Sequence, residues 1–356
     1  MTPAGAVGRR PGKRRKARSP VILWAEYLAA RTGIAALTCM NVEGNLALAE
    51  ALGRLLYRCD RRHRERARDH LRIAFPDMSG GQIGLLARRS FEHFVKLAIE
   101  VCHAPRMLNA ASWPDRVHLN PMAQAIELFC SSRPFLMVTG HLGNWEVLGY
   151  QLALLGVPIS AIARPLDNPM IGRWLFGIRQ QRGMRIITKW GAAERMPREL
   201  DAGRSLGFIA DQNAGDRGTF VPFFGQLASA QKSIGLLALQ RNLPIVCGYA
   251  YRTGPLRFEI GTSDVIYPDD WQSAVDPLYY VTARYTHAIE RMAASRPEQY
   301  LWMHRRWRSR PRFERQGRPM PARLRRNLEA LPWMDQATID RMARQGEESA
   351  DPQRND

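Results

Sequence analysis

The residues whose types and spacing best suit chemistry are His141 and Glu146, in the segment FLMVTGHLGNWEVLGYQL. An apolar run ends at Gly140, and a helix is predicted to begin near Trp145. His141 therefore lies at the carboxyl end of a strand, where open α/β sheets bind ligands. The spacing lets the Glu146 carboxylate hold one ring nitrogen of His141 while the other nitrogen faces a substrate. We predict a general base with its orienting carboxylate, suited to deprotonating a substrate hydroxyl group.

Other roles for this pair are open or disfavoured. In a purely structural role, His141 would cap the turn and Glu146 would neutralise the helix N-terminus. We expect no metal, since none of the other histidines supplies a His-Glu-x-x-His helix or a comparable ligand cluster. The chain has no Gly-x-Ser-x-Gly elbow, and a thiol nucleophile would have to be Cys130 or Cys247, both in apolar runs.

The elements that must position these residues alternate in type along the chain. Short apolar runs alternate with helical segments that begin near Trp145, Pro169, Ala192 and Ser229. The runs are 134–140, 157–163, 184–189, 205–211 and 243–251. This alternation predicts βαβ units, and hence an α/β fold with a central, mostly parallel sheet covered by helices on both faces.

The region before the sheet, residues 19–104, reads as helical. It is interrupted at AFPDMSGG, and Ser79 followed by Gln82 predicts a capping box that starts a new helix running to about Glu100. A helical stretch over 277–298 follows the predicted sheet. We divide the chain into a basic tail (1–18), a helical membrane-associated region (19–104), an α/β domain (105–326) and a helical, polar C-terminal tail (327–356).

Charge is distributed unevenly. The chain carries 52 Lys and Arg against 33 Asp and Glu, a formal charge of +19, with 45% hydrophobic residues. That apolar share excludes a disordered basic protein. Residues 1–18 hold seven cations and no acid, and residues 305–326 hold ten arginines against Glu314 alone. Such segments predict a polyanionic partner, either nucleic acid or the anionic face of a membrane.

The apolar stretch after the basic tail favours a membrane-surface helix. Glu26, Arg31 and Glu43 interrupt it, and its longest uninterrupted piece, 32–42, has 11 residues, whereas a spanning helix needs about 20. We expect an interfacial helix with Trp24 in the head-group layer and the basic tail on anionic lipid. The alternative is an ordinary amphipathic helix packed on the domain.

Four segments in order resemble the blocks of one family. GHLGNWE resembles the His-x4-Asp/Glu motif of the bacterial lipid A late acyltransferases. ARPLDNP, with Arg164 and Asn168-Pro169, resembles their second block, IADQNAGDRGTFVPFFG (209–225) their third and EQYLWMHRRWRSRP (298–311) their closing stretch. The chain is identified as a member of that family.

The resemblance implies a reaction, a fold and a location. The fold would be like that of glycerol-phosphate acyltransferases. Acyl carrier protein, or acyl-CoA, would donate a fatty acyl chain to a hydroxyl of a membrane glycolipid, most commonly a lipid A precursor, on the cytoplasmic face of the bacterial inner membrane. His141 would act as base and Glu146 as its partner, with no acyl-enzyme and no cofactor. Because the Asp211 block departs from the family's usual aromatic and proline residues, another glycolipid or lysophospholipid acceptor, such as a phosphatidylinositol mannoside, stays open.

The blocks also imply substrate-binding residues. These are Asn144, Arg164, Asp211, Gln212 and Arg217, and Arg164 would bind a phosphate of the donor or the acceptor. Backbone N–H groups of the Gly140 to Asn144 turn and of the helix N-terminus near Trp145 would bind the oxyanion. The aromatic run FVPFFG would line an acyl channel, or else belong to the core.

A nucleic-acid surface is the rival from another class. Trp302, Trp307 and Phe313 would then stack on bases among the arginines of 305–326. No nucleic-acid motif is found in the chain, so we expect no such partner.

Overall fold

A computed structural model describes residues 19–163, 166–180, 183–188 and 191–348. The strands are β1 (Val117–Leu119), β2 (Leu136–Thr139), β3 (Ile159–Ala163), β4 (Arg185–Thr188), β5 (Ser205–Ile209), β6 (Thr219–Phe223), β7 (Gln226–Ala230), β8 (Ile245–Gly254) and β9 (Arg257–Ile266). The helices are α1 (Pro20–Cys39), α2 (Val42–Cys59), α3 (Arg61–Ala74), α4 (Gly80–Met107), α5 (Ala123–Cys130), α6 (Trp145–Leu154), α7 (Pro169–Gln180), α8 (Ala192–Asp201), α9 (Lys232–Arg241), α10 (Asp269–Gln272), α11 (Pro277–Ser295), α12 (Arg312–Arg315), α13 (Ala322–Glu329) and α14 (Gln336–Glu348). The predicted basic tail, 1–18, lies outside the described residues.

The central sheet confirms the predicted fold class. Its seven strands lie in the order β1-β9-β8-β2-β5-β3-β4. Every neighbouring pair is parallel except β8 with β9. All five predicted apolar runs contain strands of this sheet, and β2 is buried at all four of its residues. A strand enclosed on both faces needs such an unbroken apolar run.

Helices cover both faces of the sheet, as the pattern predicts. Leu136 and Val138 of β2 join one core with residues of α3, α4, α9 and α11. Met137, which points to the opposite face, joins a second core with residues of α5 and α6. The helices α6, α7 and α8 begin where the sequence predicts them.

The N-terminal helices also follow the sequence signals. The Ser79 and Gln82 side chains form both hydrogen bonds of the predicted capping box. The helix α4 then continues to Met107, beyond its predicted end. The helix α1 has no buried residue. It is joined to α7 by Asn168, whose amide nitrogen donates to Leu23 O over 2.9 Å.

A hairpin was not predicted from the sequence. Ser229, expected to open a helix, lies in β7, which pairs antiparallel with β6. Val221 and Phe223 of the FVPFFG run are fully buried in the core, and Phe224 takes a positive φ of 49° at the turn. This run is therefore core and hairpin. An unbroken apolar run without alternation hides a short hairpin from sequence reasoning.

Candidate active site

The turn after β2 carries the predicted base and is fixed by backbone contacts. Gly143 takes φ of +53°, and a Cβ there would lie 2.1 Å from the carbonyl oxygen of Ala250, so only glycine fits. The N–H of Gly143 donates to Gln299 O over 2.9 Å, and the N–H of Asn144 donates to Ala250 O over 2.6 Å. The position of His141 is thus set by β8 and by the segment after α11.

Asp211, which follows β5, holds the His141 ring. Nδ1 of His141 lies 2.6 Å from Asp211 Oδ1, and the backbone N–H of His141 donates to Asp211 Oδ2 over 2.9 Å. Burial by itself raises the pKa of a carboxyl group, but the His141 ring and its hydrogen bonds hold the pKa of Asp211 well below its usual value. Asp211 is therefore an ionised carboxylate that orients the ring and leaves Nε2 toward Gln212.

The predicted contact between His141 and Glu146 is wrong in this structure. Arg179 of α7 donates two hydrogen bonds to the Glu146 carboxylate, Nε to Oε2 over 2.7 Å and Nη2 to Oε1 over 2.5 Å. The reason is that Asp211 already occupies Nδ1 of His141, while the guanidinium fork matches a carboxylate in two-point geometry. Glu146 lines the same cavity as His141, so a catalytic role for it stays a prediction.

A buried network of charged side chains contacts the turn after β2 at Gly143 and Asn144. The Glu100 carboxylate, with no exposed side-chain area, accepts hydrogen bonds from Nε and Nη2 of Arg252. It also accepts from Asn144 Nδ2 over 2.8 Å. Arg252 Nη1 donates to His93 Nδ1 over 2.8 Å, so Nε2–H of His93 donates to the Gly143 carbonyl over 2.9 Å. Burial, together with Arg252, lowers the pKa of His93 well below its usual value, in keeping with this neutral tautomer.

A second histidine lies beside His141. The rings of His304 and His141 have centroids 4.4 Å apart. Burial, followed by repulsion from His141, lowers the pKa of His304 to about 4. His304 is therefore neutral at pH 7 and adds no second positive charge when His141 takes a proton.

His141, Asp211 and His304 offer donor atoms that all lie within 4.8 Å of one another. Such a group can be considered for a metal, but the direct hydrogen bond between Nδ1 of His141 and Asp211 already uses two of the three donors. A structural zinc site takes four protein ligands, and a catalytic one takes three that are free to coordinate. The arrangement fits a hydrogen-bonded His–Asp pair better than a metal centre.

A cavity of about 340 Å³ opens beside His141, within the range of roughly 300–1,000 Å³ typical of ligand sites. Its polar residues are Thr139, His141, Glu146, Arg179 and Gln212. Its apolar wall comes from β2, α6, β3, Met184 and β5, and includes Leu148, Leu152, Ile159, Met184 and Phe208. The cavity is thus an apolar pocket with His141 among the residues of its polar part.

The structure places three other predicted site residues, Gln212, Asn144 and Arg217, in different surroundings. Gln212 lies beside the base, with its Nε2 atom 3.5 Å from His141 Nε2. Asn144 is buried. Its Nδ2 donates to Glu100 and its Oδ1 accepts from the N–H of Val147, so the side chain positions α6 and does not reach a substrate. Arg217 is exposed and is not part of the cavity wall.

Arg164 lies outside the described residues.

Cys247 is buried and Cys130 exposed. Neither thiol lines the cavity.

Three of the predicted oxyanion donors of the turn already have acceptors. The N–H groups of His141, Gly143 and Asn144 donate to Asp211, Gln299 and Ala250. Asn144 also caps Val147. The helix N-terminus was predicted as the other source of donors, and the first two residues of α6 have N–H groups without intrahelical acceptors.

Sequence reasoning missed Arg179, His304 and the pair of Glu100 with Arg252 as parts of the site. His304 stands in the closing family block, so a signal for it was present in the sequence. Arg179, Glu100 and Arg252 carried no comparable signal, since each acts through a partner far away along the chain.

The aromatic residues of the basic C-terminal segment are not available as a stacking surface. Trp302, Trp307 and Phe313 are 1%, 8% and 6% exposed. Arg306 is buried and lies over the Phe223 ring. Base stacking needs exposed rings, so the rival nucleic-acid interpretation loses the feature on which it depended.

Three comparisons relate the chain to known proteins. Residues 11–309 match the family described as bacterial lipid A biosynthesis acyltransferase. Over 267 residues the chain is 25% identical to the lipid A biosynthesis lauroyltransferase of Escherichia coli strain K12, covering 73% of this chain and 84% of that protein. The crystal structure of the 1-acyl-sn-glycerophosphate acyltransferase PlsC from Thermotoga maritima aligns with a TM-score of 0.34 and 13% identity, over 71% of this chain and 98% of that one.

Proposed function

Since the chain belongs to the bacterial lipid A biosynthesis acyltransferase family and is an acyltransferase, we propose that it uses His141 as a general base to acylate a hydroxyl of a lipid A precursor. The donor is acyl carrier protein, with acyl-CoA as the alternative. The observation that carries the mechanism is the 2.6 Å contact between His141 Nδ1 and the buried Asp211 carboxylate. It fixes the ring with Nε2 free to accept a proton.

The proposed reaction proceeds in two proton transfers. His141 Nε2 takes the proton of the acceptor hydroxyl as its oxygen attacks the thioester carbonyl carbon. The C–S bond then breaks, and the imidazolium gives its proton to the leaving thiolate. Asp211 stabilises the imidazolium between these steps and acts as a positioning residue. No acyl-enzyme forms, and no cofactor or metal takes part.

The oxyanion of this reaction needs hydrogen-bond donors, because general-base assistance supplies only about 10²–10⁴-fold of the rate. The N–H groups of Trp145 and Glu146, at the N-terminus of α6, are the candidates. Both residues line the cavity, and the helix dipole adds positive potential there. In this scheme the ion pair of Glu146 with Arg179 fixes the first turn of α6 against α7.

The apolar part of the cavity is proposed to hold the acyl chain. Burial of each methylene stabilises a bound chain by about 0.8 kcal/mol. The walls from α6 and the sheet are preformed, so the length of the pocket would govern which chain is transferred.

We further propose that the enzyme acts at the cytoplasmic face of the inner membrane. Among the described residues, α1 is the one helix long and apolar enough to cross a membrane, and none of its residues is buried. The sequence favours an interfacial placement, with residues 1–18 on anionic lipid. The α1 helix contacts α7 through Asn168 and through Arg31, which lies 5.8 Å from the Trp174 ring centroid. Because Arg179 of α7 lines the cavity, α1 packs against a helix that forms part of the cavity wall.

The test is a transfer assay with purified protein, labelled acyl carrier protein and a lipid A precursor in anionic vesicles. We expect transfer by the wild type, and loss of at least 10²-fold with His141→Ala. His118→Ala, which removes an exposed imidazole on β1, is the matched control and should leave the rate unchanged. An active His141→Ala enzyme would contradict the mechanism, and a wild type without transfer would contradict the substrate assignment.

A further inference from the structure

A cleft on the flank of the site is lined by cations. Its volume is about 530 Å³, and its lining includes Arg66 of α3 with Arg305, Arg308 and Arg310 of the segment after α11. Trp307 also borders it, and no carboxylate does. Four guanidinium groups around one cleft form a surface suited to an anion.

The charges of this cleft are only partly compensated. Arg310 donates to Glu314 Oε2 over 2.7 Å and to Leu227 O over 2.7 Å, so it serves the fold. Arg305 and Arg308 are exposed and have no carboxylate partner among the described residues.

Arg66 is held in place by the protein backbone. It donates to Met303 O over 3.1 Å, and its burial, together with the positive charge of Arg305, lowers its pKa. Like charges placed together in this way are stabilised when an anion binds between them.

A chain of contacts connects the cleft with His141. His70, which also lines it, bonds Trp302 O over 2.9 Å. The chain continues through Met303 to His304, whose ring contacts that of His141. The segment from Trp302 to His304 thus connects a residue of the cleft wall, His70, with the ring of His141.

We propose that Arg66, Arg305 and Arg308 form a binding site for a phosphate group of a substrate. Planar guanidinium groups bind phosphate oxygens in two-point geometry. Both proposed substrates can carry phosphate: the acceptor as a phosphorylated glycolipid, and the donor as the phosphodiester that links the thiol arm to its carrier. Assigning the phosphate to a substrate rests on the proposed acyl transfer, whereas phosphate binding by the cleft does not.

The first experiment measures binding alone. Inorganic phosphate is titrated into the full-length protein and followed by ³¹P NMR, comparing the wild type with the double variant Arg305→Gln/Arg308→Gln. Losing two charged hydrogen-bond partners should weaken binding about 10–100-fold. The matched control is Arg133→Gln, an exposed arginine before β2, at the opposite edge of the sheet from His141. It should bind phosphate as the wild type does. Equal binding by the wild type and the double variant would overturn the site.

The second experiment identifies the source of the phosphate by kinetics. If the acceptor supplies it, the double variant raises KM about 10–100-fold for the phosphorylated acceptor and leaves KM for the dephosphorylated acceptor unchanged. If the donor supplies it, KM rises for acyl carrier protein and not for an acyl thioester of N-acetylcysteamine, which has no phosphate. Unchanged KM for all four substrates would overturn the proposal. Cleft-dependent phosphate binding by a protein without transfer activity would support the cleft and refute only the proposed function.

Discussion

Replacing Asp211 by Asn separates the two candidate partners of His141. In the wild type both carboxylate oxygens accept, one from the backbone N–H and one from Nδ1–H of His141. The backbone N–H is always a donor, so the single oxygen of an Asn side chain must stay with it. The Asn amide nitrogen then faces Nδ1, which must become an acceptor. The ring proton moves to Nε2, and the base that faces the substrate is lost.

The expected loss in kcat for Asp211→Asn is about 10²–10⁴-fold, equivalent to roughly 3–5 kcal/mol of transition-state stabilisation. Removing the negative charge also disfavours the imidazolium, so the acid limb of the pH–rate profile should move about 1–3 pH units lower. The assay is the pH dependence of kcat/KM from pH 5 to 9, with urea unfolding at pH 7 to verify that the variant is folded.

Glu146→Gln is the matched control, since Glu146 bonds Arg179 and not His141. It should lower activity without moving the acid limb. If Asp211→Asn keeps more than one-tenth of the wild-type kcat with an unchanged profile, or if Glu146→Gln moves the acid limb instead, the assignment of Asp211 as the positioning residue is wrong.

Four further outcomes are expected. Arg252→Met leaves the buried carboxylate of Glu100 unpaired and should lower the free energy of unfolding by about 3–5 kcal/mol in urea titrations; a loss below 1 kcal/mol would contradict this account. Gly207→Val narrows the cavity wall on β5 and should shift preference to shorter acyl chains by about fourfold per methylene in competition assays, and an unchanged product distribution would place the chain elsewhere. Burial raises the pKa of Glu290 to about 7, above the usual 4.5, so the contribution of this carboxyl group to stability is most favourable below pH 4.5 and is lost as pH rises through 7; Glu290→Gln should therefore raise Tm more at pH 8.5 than at pH 4.5, and an equal effect at both would refute this. Deleting residues 1–18 should weaken binding to anionic vesicles and reduce its salt dependence, and unchanged flotation would remove their proposed role.

The helix α1 illustrates a limit of sequence reasoning. The charges at Glu26 and Arg31 favour an interfacial helix. In the folded chain, Asn168, the residue before α7, donates to the Glu26 carboxylate over 3.1 Å, and Arg31 lies near Trp174 of α7. A charge that interrupts an apolar stretch in the sequence can thus be used by a neighbouring helix, which only the tertiary structure shows.

Local patterns alone determined many of the elements that position the site. The apolar runs predicted five strands of the central sheet, the Ser79 capping box predicted the start of α4, and the spacing after Gly140 placed His141 at a strand end. These features depend on neighbours along the chain, so they can be read from a single sequence.

The partner of His141 was decided by strand order. In the structure, both His141 and Asp211 lie two residues past the end of a strand. Two other strands, β3 and β4, separate β2 from β5 along the chain, but in the sheet β2 and β5 are adjacent, with Thr139 opposite Ile209. Parallel pairing in this register brings the two side chains to the same height at one edge. The sequence therefore supplied the base and a nearby carboxylate, Glu146, whereas the tertiary structure chose a carboxylate 70 residues away, because adjacency in a sheet does not follow from adjacency in the chain.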